Sequence, residues 1–226
     1  MNLLAVDTST SSCSVALFSG SHLVAEAIYT DGKTHSRHLL SMIDGILAQC
    51  GHAPEWLDGI AITRGPGTFT GLRIGISTVK GLAVAAGIPV VGVNSLAALA
   101  YPMVMMDRLV VAMTDARRGE VYHAQFKGYQ SLFNPSVAVS APEKAAAAIP
   151  EDALLVGSGA MLYRELFEQQ CRFVHFADTP ANSIRAASVG LLAMRAFEHR
   201  DIENTDALVP EYIRKSDAQI HMAGSC

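Results

Sequence analysis

Clustered charge is scarce in this chain. Its 226 residues carry 17 Lys and Arg against 21 Asp and Glu, a formal net charge of −4, and no basic run stands out. Phosphate contacts need clustered cations, which argues against nucleic-acid binding by the chain on its own. Cysteine is sparse as well: Cys13, Cys50, Cys171 and Cys226 are scattered without CxxC spacing. That pattern predicts reduced thiols in a cytoplasmic protein and argues against a disulfide or zinc framework. No basic stretch precedes an apolar run at the N-terminus, so no secretory signal is expected. Neither a G-x-S-x-G elbow nor an H-E-x-x-H helix occurs. From Gly81 to Met106 no side chain is charged, but Gly87-Ile88-Pro89 and Asn94-Ser95 cut the run. Helix end, buried strand (Pro89 to Val93) and helix start is the reading there, in place of a membrane span.

Apolar residues make up half of the chain, enough for a sizeable core, and the length suits one large domain or two small lobes. Strands are expected at Asn2 to Asp7, Cys13 to Phe18 and Leu23 to Tyr29. Thr34 or Ser36 then caps a helix with Leu39, Leu40, Ile43, Ile46 and Leu47 at helical spacing, and Gly51 stops it. A strand at Gly59 to Thr63, a helix from about Phe69 to Ala86 and a strand at Pro89 to Val93 complete the order βββαβαβ. This predicts a mixed five-stranded sheet with helices on its faces. The second half opens in the same way, with a strand at Leu109 to Thr114 running into Asp115. Strands at Val121 to Phe126, Ser136 to Val139 and Ala153 to Val156 follow, with helices at Pro142 to Ala148, about Leu162 to Gln170 and Ser183 to Glu198. The expected organisation is an N-terminal lobe, 1–105, and a related, shortened C-terminal lobe, 106–226, whose last residues from Gln219 form a frayed tail.

Between the fourth strand and its helix lies Arg64-Gly65-Pro66-Gly67-Thr68. Gly-Pro-Gly makes a tight turn and Thr68 can cap the helix. A strand, a Gly-rich turn and a helix N-terminus are the ingredients of an anion site, although the spacing is that of neither a P-loop nor a dinucleotide fingerprint. A plain strand-to-helix turn is the other reading. Leu72, Ile74, Ile76, Val79, Leu82, Ala83 and Val84 place apolar groups almost all round the helix, and Gly71 and Gly75 permit close approach of another helix. A buried central helix and an interface helix both fit. His35 and His38 lie three apart with no third ligand nearby, which makes a weak metal pair.

The runs Leu3 to Thr10 and Cys13 to Leu17, His35 to Leu40, the Gly-rich segment, Pro89 to Leu96, Asp115 to Tyr122 and Val209 to Arg214 together resemble the bacterial TsaB (YeaZ) family. That family sits in the TsaD, or glycoprotease-like, branch of the actin/Hsp70/sugar-kinase (ASKHA) superfamily. The resemblance implies a two-lobed α/β ASKHA fold with ribonuclease-H-like lobes, the second reduced. It implies a non-catalytic scaffold and activator that pairs with TsaD, with TsaE joining, in making threonylcarbamoyladenosine beside the tRNA anticodon. Transfer RNA is then reached only through the complex, no cofactor or metal belongs to this chain, and a homodimer is expected when it is alone. TsaD holds its metal with a His-x-x-x-His pair, and the matching positions here are Ser95 and Leu99. The family's partner contact carries over to the two helices after the meander, through Leu39, Leu40, Ile43, Leu47, Gly71, Leu72, Gly75, Ile76 and Val79. In ASKHA enzymes strand-end carboxylates hold a nucleotide's magnesium through water, which makes Asp7, Thr8, Ser9, Gly65, Gly67, Asp115, Gly157 and Gly159 weak phosphate or nucleotide candidates. Thr8-Ser9-Thr10 lacks the glycine that admits phosphate, and Arg117-Arg118 is bulky at the second loop, so a relic of the fold is the favoured reading. The alternatives are an ATP-dependent ASKHA enzyme using Asp7 and Asp115, and a glycoprotease-like metallopeptidase.

Overall fold

The computed structural model describes residues 1–213 apart from 31, 33, 34, 151, 200, 201 and 203. β1 (Asn2–Asp7), β2 (Cys13–Ser19) and β3 (His22–Tyr29) form an antiparallel meander. β4 (Gly59–Gly65) and β5 (Val90–Asn94) join in parallel on the far side of β1, giving the order β3-β2-β1-β4-β5. As the middle strand, β1 is buried on both faces, which is why it reads as an unbroken apolar run. Its alternation splits the core: Leu4 and Val6 face one helical layer, Leu3 and Ala5 the other.

The Leu4 side is covered by α1 (His35–Gln49) and α2 (Phe69–Ala86). α1 ends at Gly51, whose φ of 73° lets the His52 N–H donate to the Leu47 carbonyl at 2.9 Å. Of the two expected caps, Thr34 lies outside the described residues. Ser36 falls inside the first turn, because the helix already starts at His35. The Thr68 hydroxyl caps α2 as expected, accepting from the Gly71 N–H at 3.2 Å.

The second sheet repeats the plan of the first. α3 (Ser95–Ala100), capped by the Asn94 side chain, leads to β6 (Leu109–Arg117), β7 (Glu120–Phe126) and β8 (Ala138–Ser140). After α4 (Pro142–Ala147) come β9 (Ala153–Val156), α5 (Ser158–Leu162), α6 (Arg164–Gln170) and β10 (His175–Phe176). The order β10-β9-β6-β7-β8 again has a meander on one side of the central strand and parallel strands on the other. The reduction expected of this lobe is one of element length, not of strand number. The helix expected at about Leu162 to Gln170 is α6, and α5, over Ser158–Leu162, precedes it where no helix was expected.

The lobes interlock. α7 (Ala186–His199), from the second half, covers the Leu3 face of the first sheet, while α3, from the first half, packs on β6 and β7. One buried cluster therefore runs from Leu3, Ala5 and Phe18 through Leu96 and Val189 to Val110, Ala112 and Phe126. Gly190 is required here, since a Cβ would strike the Phe18 ring. Glu26 fastens the start of α7: it pairs with Arg185 and accepts from the Ala187 N–H at 3.0 Å, where the helix dipole favours a carboxylate. No helix among the described residues is long and apolar enough to cross a membrane.

Candidate functional site

The end of β1 is sealed. Asp7 is fully buried, and its Oδ1 accepts from the Ser9 N–H (3.0 Å), the Ser9 hydroxyl (2.6 Å) and the Thr63 hydroxyl (2.7 Å). Thr8 is also buried and donates its hydroxyl to the Gly71 carbonyl at 2.8 Å, which ties the strand end to α2. The corresponding turn of the second lobe is open. Asp115 is half-buried, accepts from the Arg117 N–H at 2.7 Å and pairs with the exposed Arg117 guanidinium at 3.2 Å. Arg118 and Gly119 both have positive φ and close a two-residue hairpin turn.

The glycines among the nucleotide candidates are filled by protein. A Cβ at Gly67 would collide with the Ser9 carbonyl, and one at Gly65 would lie 2.6 Å from the Glu211 carbonyl oxygen. A Cβ at Gly157 would meet the Met113 carbonyl and Leu99, and one at Gly159 the Thr114 backbone at 3.0 Å. Each glycine lets one piece of chain approach another. A phosphate loop needs backbone amides facing open space.

Ser95 and Leu99 are both buried in α3, and Leu99 packs against Gly157. Neither side chain suits a transition metal. His38 stacks on Tyr29 at 5.3 Å, and the His35 side chain lies outside the described residues. Among the described residues no three His, Cys, Asp or Glu side chains gather to hold a metal ion. One pairing that the sequence did not reveal is His123 Nε2 with Ser140 Oγ, 3.1 Å apart across β7 and β8. Burial lowers the His123 pKa, but the Ser140 hydroxyl donates to the Ala141 carbonyl at 3.2 Å and no carboxylate among the described residues orients the ring. This is not the nucleophile–base–orienter chain of a hydrolase. Cys13 is no nucleophile either: burial, with the Asp7 charge, pushes its thiol up to about 12.

Of the nine residues expected at a helix-pair interface, only Leu40 is exposed, at 56%. Leu39, Ile43, Leu47, Ile76 and Val79 belong to the first lobe's own core, and Gly71, Leu72 and Gly75 are buried as well. Gly75 does not face outward: a side chain there would strike Thr8. Spacing alone puts Gly71 and Gly75 on one face of α2 but does not say which, and that face is the one on β4 and on Thr8, just past the end of β1. The outer surfaces carry Leu40 and Val84 (71% exposed), and there is open space above Gly45 and Gly81.

A strap also lies across this region. Lys80 holds the Asp206 and Leu208 carbonyls at 3.0 and 3.1 Å, and the Leu208 side chain is buried beside Gly92. The Glu211 N–H donates to the Arg64 carbonyl at 2.6 Å, and Tyr212 stacks on Phe69 while accepting from Arg73 Nε at 3.0 Å. The motif Val209 to Arg214, whose last residue lies outside the described ones, was visible in the sequence, but its docking site was not.

Two interlocked lobes with matching sheets give an ASKHA-type α/β fold, shared at 10% identity and a TM-score of 0.51 with the activator of the 2-hydroxyisocaproyl-CoA dehydratase from Clostridium difficile. The family model described as "TsaD: tRNA N6-adenosine threonylcarbamoyltransferase" matches residues 22–222. The tRNA threonylcarbamoyladenosine biosynthesis protein TsaB of Haemophilus influenzae is 37% identical over 183 residues, 75% of this chain and 77% of its own length. That of Bacillus subtilis is 29% identical over 225 residues, 97% of this chain and 96% of its own. The solved structure of YeaZ from Pseudomonas aeruginosa superposes with a TM-score of 0.80 at 33% identity, covering 94% of this chain and 99% of that one. The chain belongs to the TsaB (YeaZ) family, within the wider group that the TsaD model describes.

Proposed function

We propose that this chain is the non-catalytic scaffold and activator of threonylcarbamoyladenosine formation on tRNA in the cytoplasm, pairing with a TsaD-type transferase that TsaE joins. The observation that carries the reading is at Ser95 and Leu99. Where the transferase of the resemblance holds its metal, this chain has a buried hydroxyl and a leucine packed on Gly157. With glycine turns filled by backbone, the chemistry falls to the partner. The contact surface is the outside of α1 and α2, where Leu40 and Val84 are exposed apolar groups and Gly45 and Gly81 leave room for another helix. The buried members of the pair hold those surfaces in place. A second copy covers them when TsaD is absent, and tRNA meets the chain only in the complex.

Co-expression with the TsaD of the same cell tests this. The double variant Leu40→Glu, Val84→Glu stays folded, loses co-purification with TsaD, and fails to restore threonylcarbamoyladenosine to the tRNA of a depleted strain. A charge buried unpaired at an interface costs about 2–5 kcal/mol, enough to dissolve a micromolar complex. Full co-purification and normal modified-nucleoside content in a folded double variant would sink the assigned surface. Turnover by the chain without TsaD would sink the scaffold role.

A further inference from the structure

β5 ends the first sheet, so one edge of its backbone has no strand beside it among the described residues. A cavity of about 620 Å³ opens along that edge. Val91, Gly92, Val93 and Asn94 all line it. Side chains of a strand alternate between its two faces, so an unbroken run of four lining residues means that the cavity meets the strand edge-on. Residues from both faces of the sheet agree with this. Arg64 crosses Gly92 on the side of the buried Leu208, and Leu192, Arg195 and His199 approach from α7 on the other. Gly92 is only half-buried, and with no side chain its accessible surface is main chain.

The lining carries charge of one sign. Arg64 and Arg195 contribute to it with His199 alongside, and no Asp or Glu among the described residues does, in a chain whose net charge is negative. Arg64 has Glu211 at 3.8 Å. Arg195 touches the neutral Gln130 at 3.3 Å and lies over the Phe133 ring at 4.3 Å, with no carboxylate partner among the described residues. Phe133, Leu132 and Leu192 give the crevice an apolar wall. An open sheet edge gives main-chain hydrogen bonds, and pockets beside it select alternate side chains.

We propose that this crevice binds an extended acidic segment of a partner protein, which adds to β5 as a sixth strand of the first sheet. Its carboxylates meet Arg195 and His199, and the alternate side chains rest on Phe133 and Leu192. The site is separate from the outer surfaces of α1 and α2 and does not depend on what binds there.

Calorimetric titration of the full chain with acetyl-Glu-Val-Glu-Val-Glu-Val-amide, and with the peptide in which Lys replaces Glu, is the test. The acidic peptide binds and the basic one does not. Arg195→Glu, at an exposed position that leaves the fold intact, weakens binding about tenfold through like-charge repulsion. Methylating one alternate set of peptide amides abolishes binding while methylating the other set has little effect, because only one edge of the added strand faces β5. The Leu40→Glu, Val84→Glu variant binds the peptide as the unaltered chain does. No binding of the acidic peptide overturns the proposal. Equal binding by both methylated peptides also overturns it, as does displacement by inorganic phosphate at the peptide's own concentration, which would identify a small-anion site.

Discussion

The two lobes build the same joint and finish it differently. In each, a glycine-bearing turn after the first parallel strand is pressed against the end of the central strand: Gly67 on Ser9 in the first lobe, Gly157 and Gly159 on Met113 and Thr114 in the second. In each, an aspartate marks that strand end. Asp7 is enclosed and accepts three hydrogen bonds on one oxygen, whereas Asp115 is half-buried and answers to its own hairpin. The glycines thus follow from the topology, which forces a turn over a strand end. The aspartates follow from their surroundings. A shared carboxylate position does not make a shared ligand site.

The largest expected effect sharpens that contrast. Asp7→Ala strands buried donors and should cost about 4 kcal/mol in urea unfolding. Asp115→Ala, which loses a partly exposed ion pair, should cost about 1 kcal/mol or less. Equal losses at the two sites would break the comparison. Next in size, Gly67→Ala and Gly157→Ala should each cost about 2–3 kcal/mol, since the added Cβ overpacks backbone that cannot swing aside. A silent substitution at either one would show that its joint is loose.

The last effect is confined to alkaline pH and concerns thiols. The Cys13 pKa is raised to about 12 from an ordinary value of 9.0, so the folded chain keeps a proton that the unfolded chain releases. Stability from this source is present below pH 9 and is lost as pH climbs toward 12. Cys13→Ala should flatten the alkaline limb of the stability profile. In native protein at pH 8, iodoacetamide should label the partly exposed Cys50 well before Cys13, and Cys171, raised by burial in the second lobe, should fall between them.

Much of the first lobe was legible because its elements are long and locally specified. Apolar alternation marked β1 and β2, Thr68 announced α2, and Gly51 closed α1. β10 escaped because two residues carry no periodicity. The Glu26–Arg185 pair and the strap over Arg64 and Phe69 join residues far apart in the chain, and no local pattern encodes such a meeting. The apolar girth of α2 fitted both a buried central helix and an interface helix, and the structure buries one face while Val84 stays 71% exposed on the other. Which side met the sheet depended on Thr8, a residue of a different element.

The exchange of helices between lobes also sets a timetable for biosynthesis. When β5 leaves the ribosome, the Leu3 and Phe18 side of the first sheet has no cover, because α7 is encoded near the far end of the message. At roughly 5–20 residues per second, that face waits several seconds for its lid. Chains released before α7 would carry an uncovered sheet face into the cell, which makes premature termination an aggregation hazard for this protein.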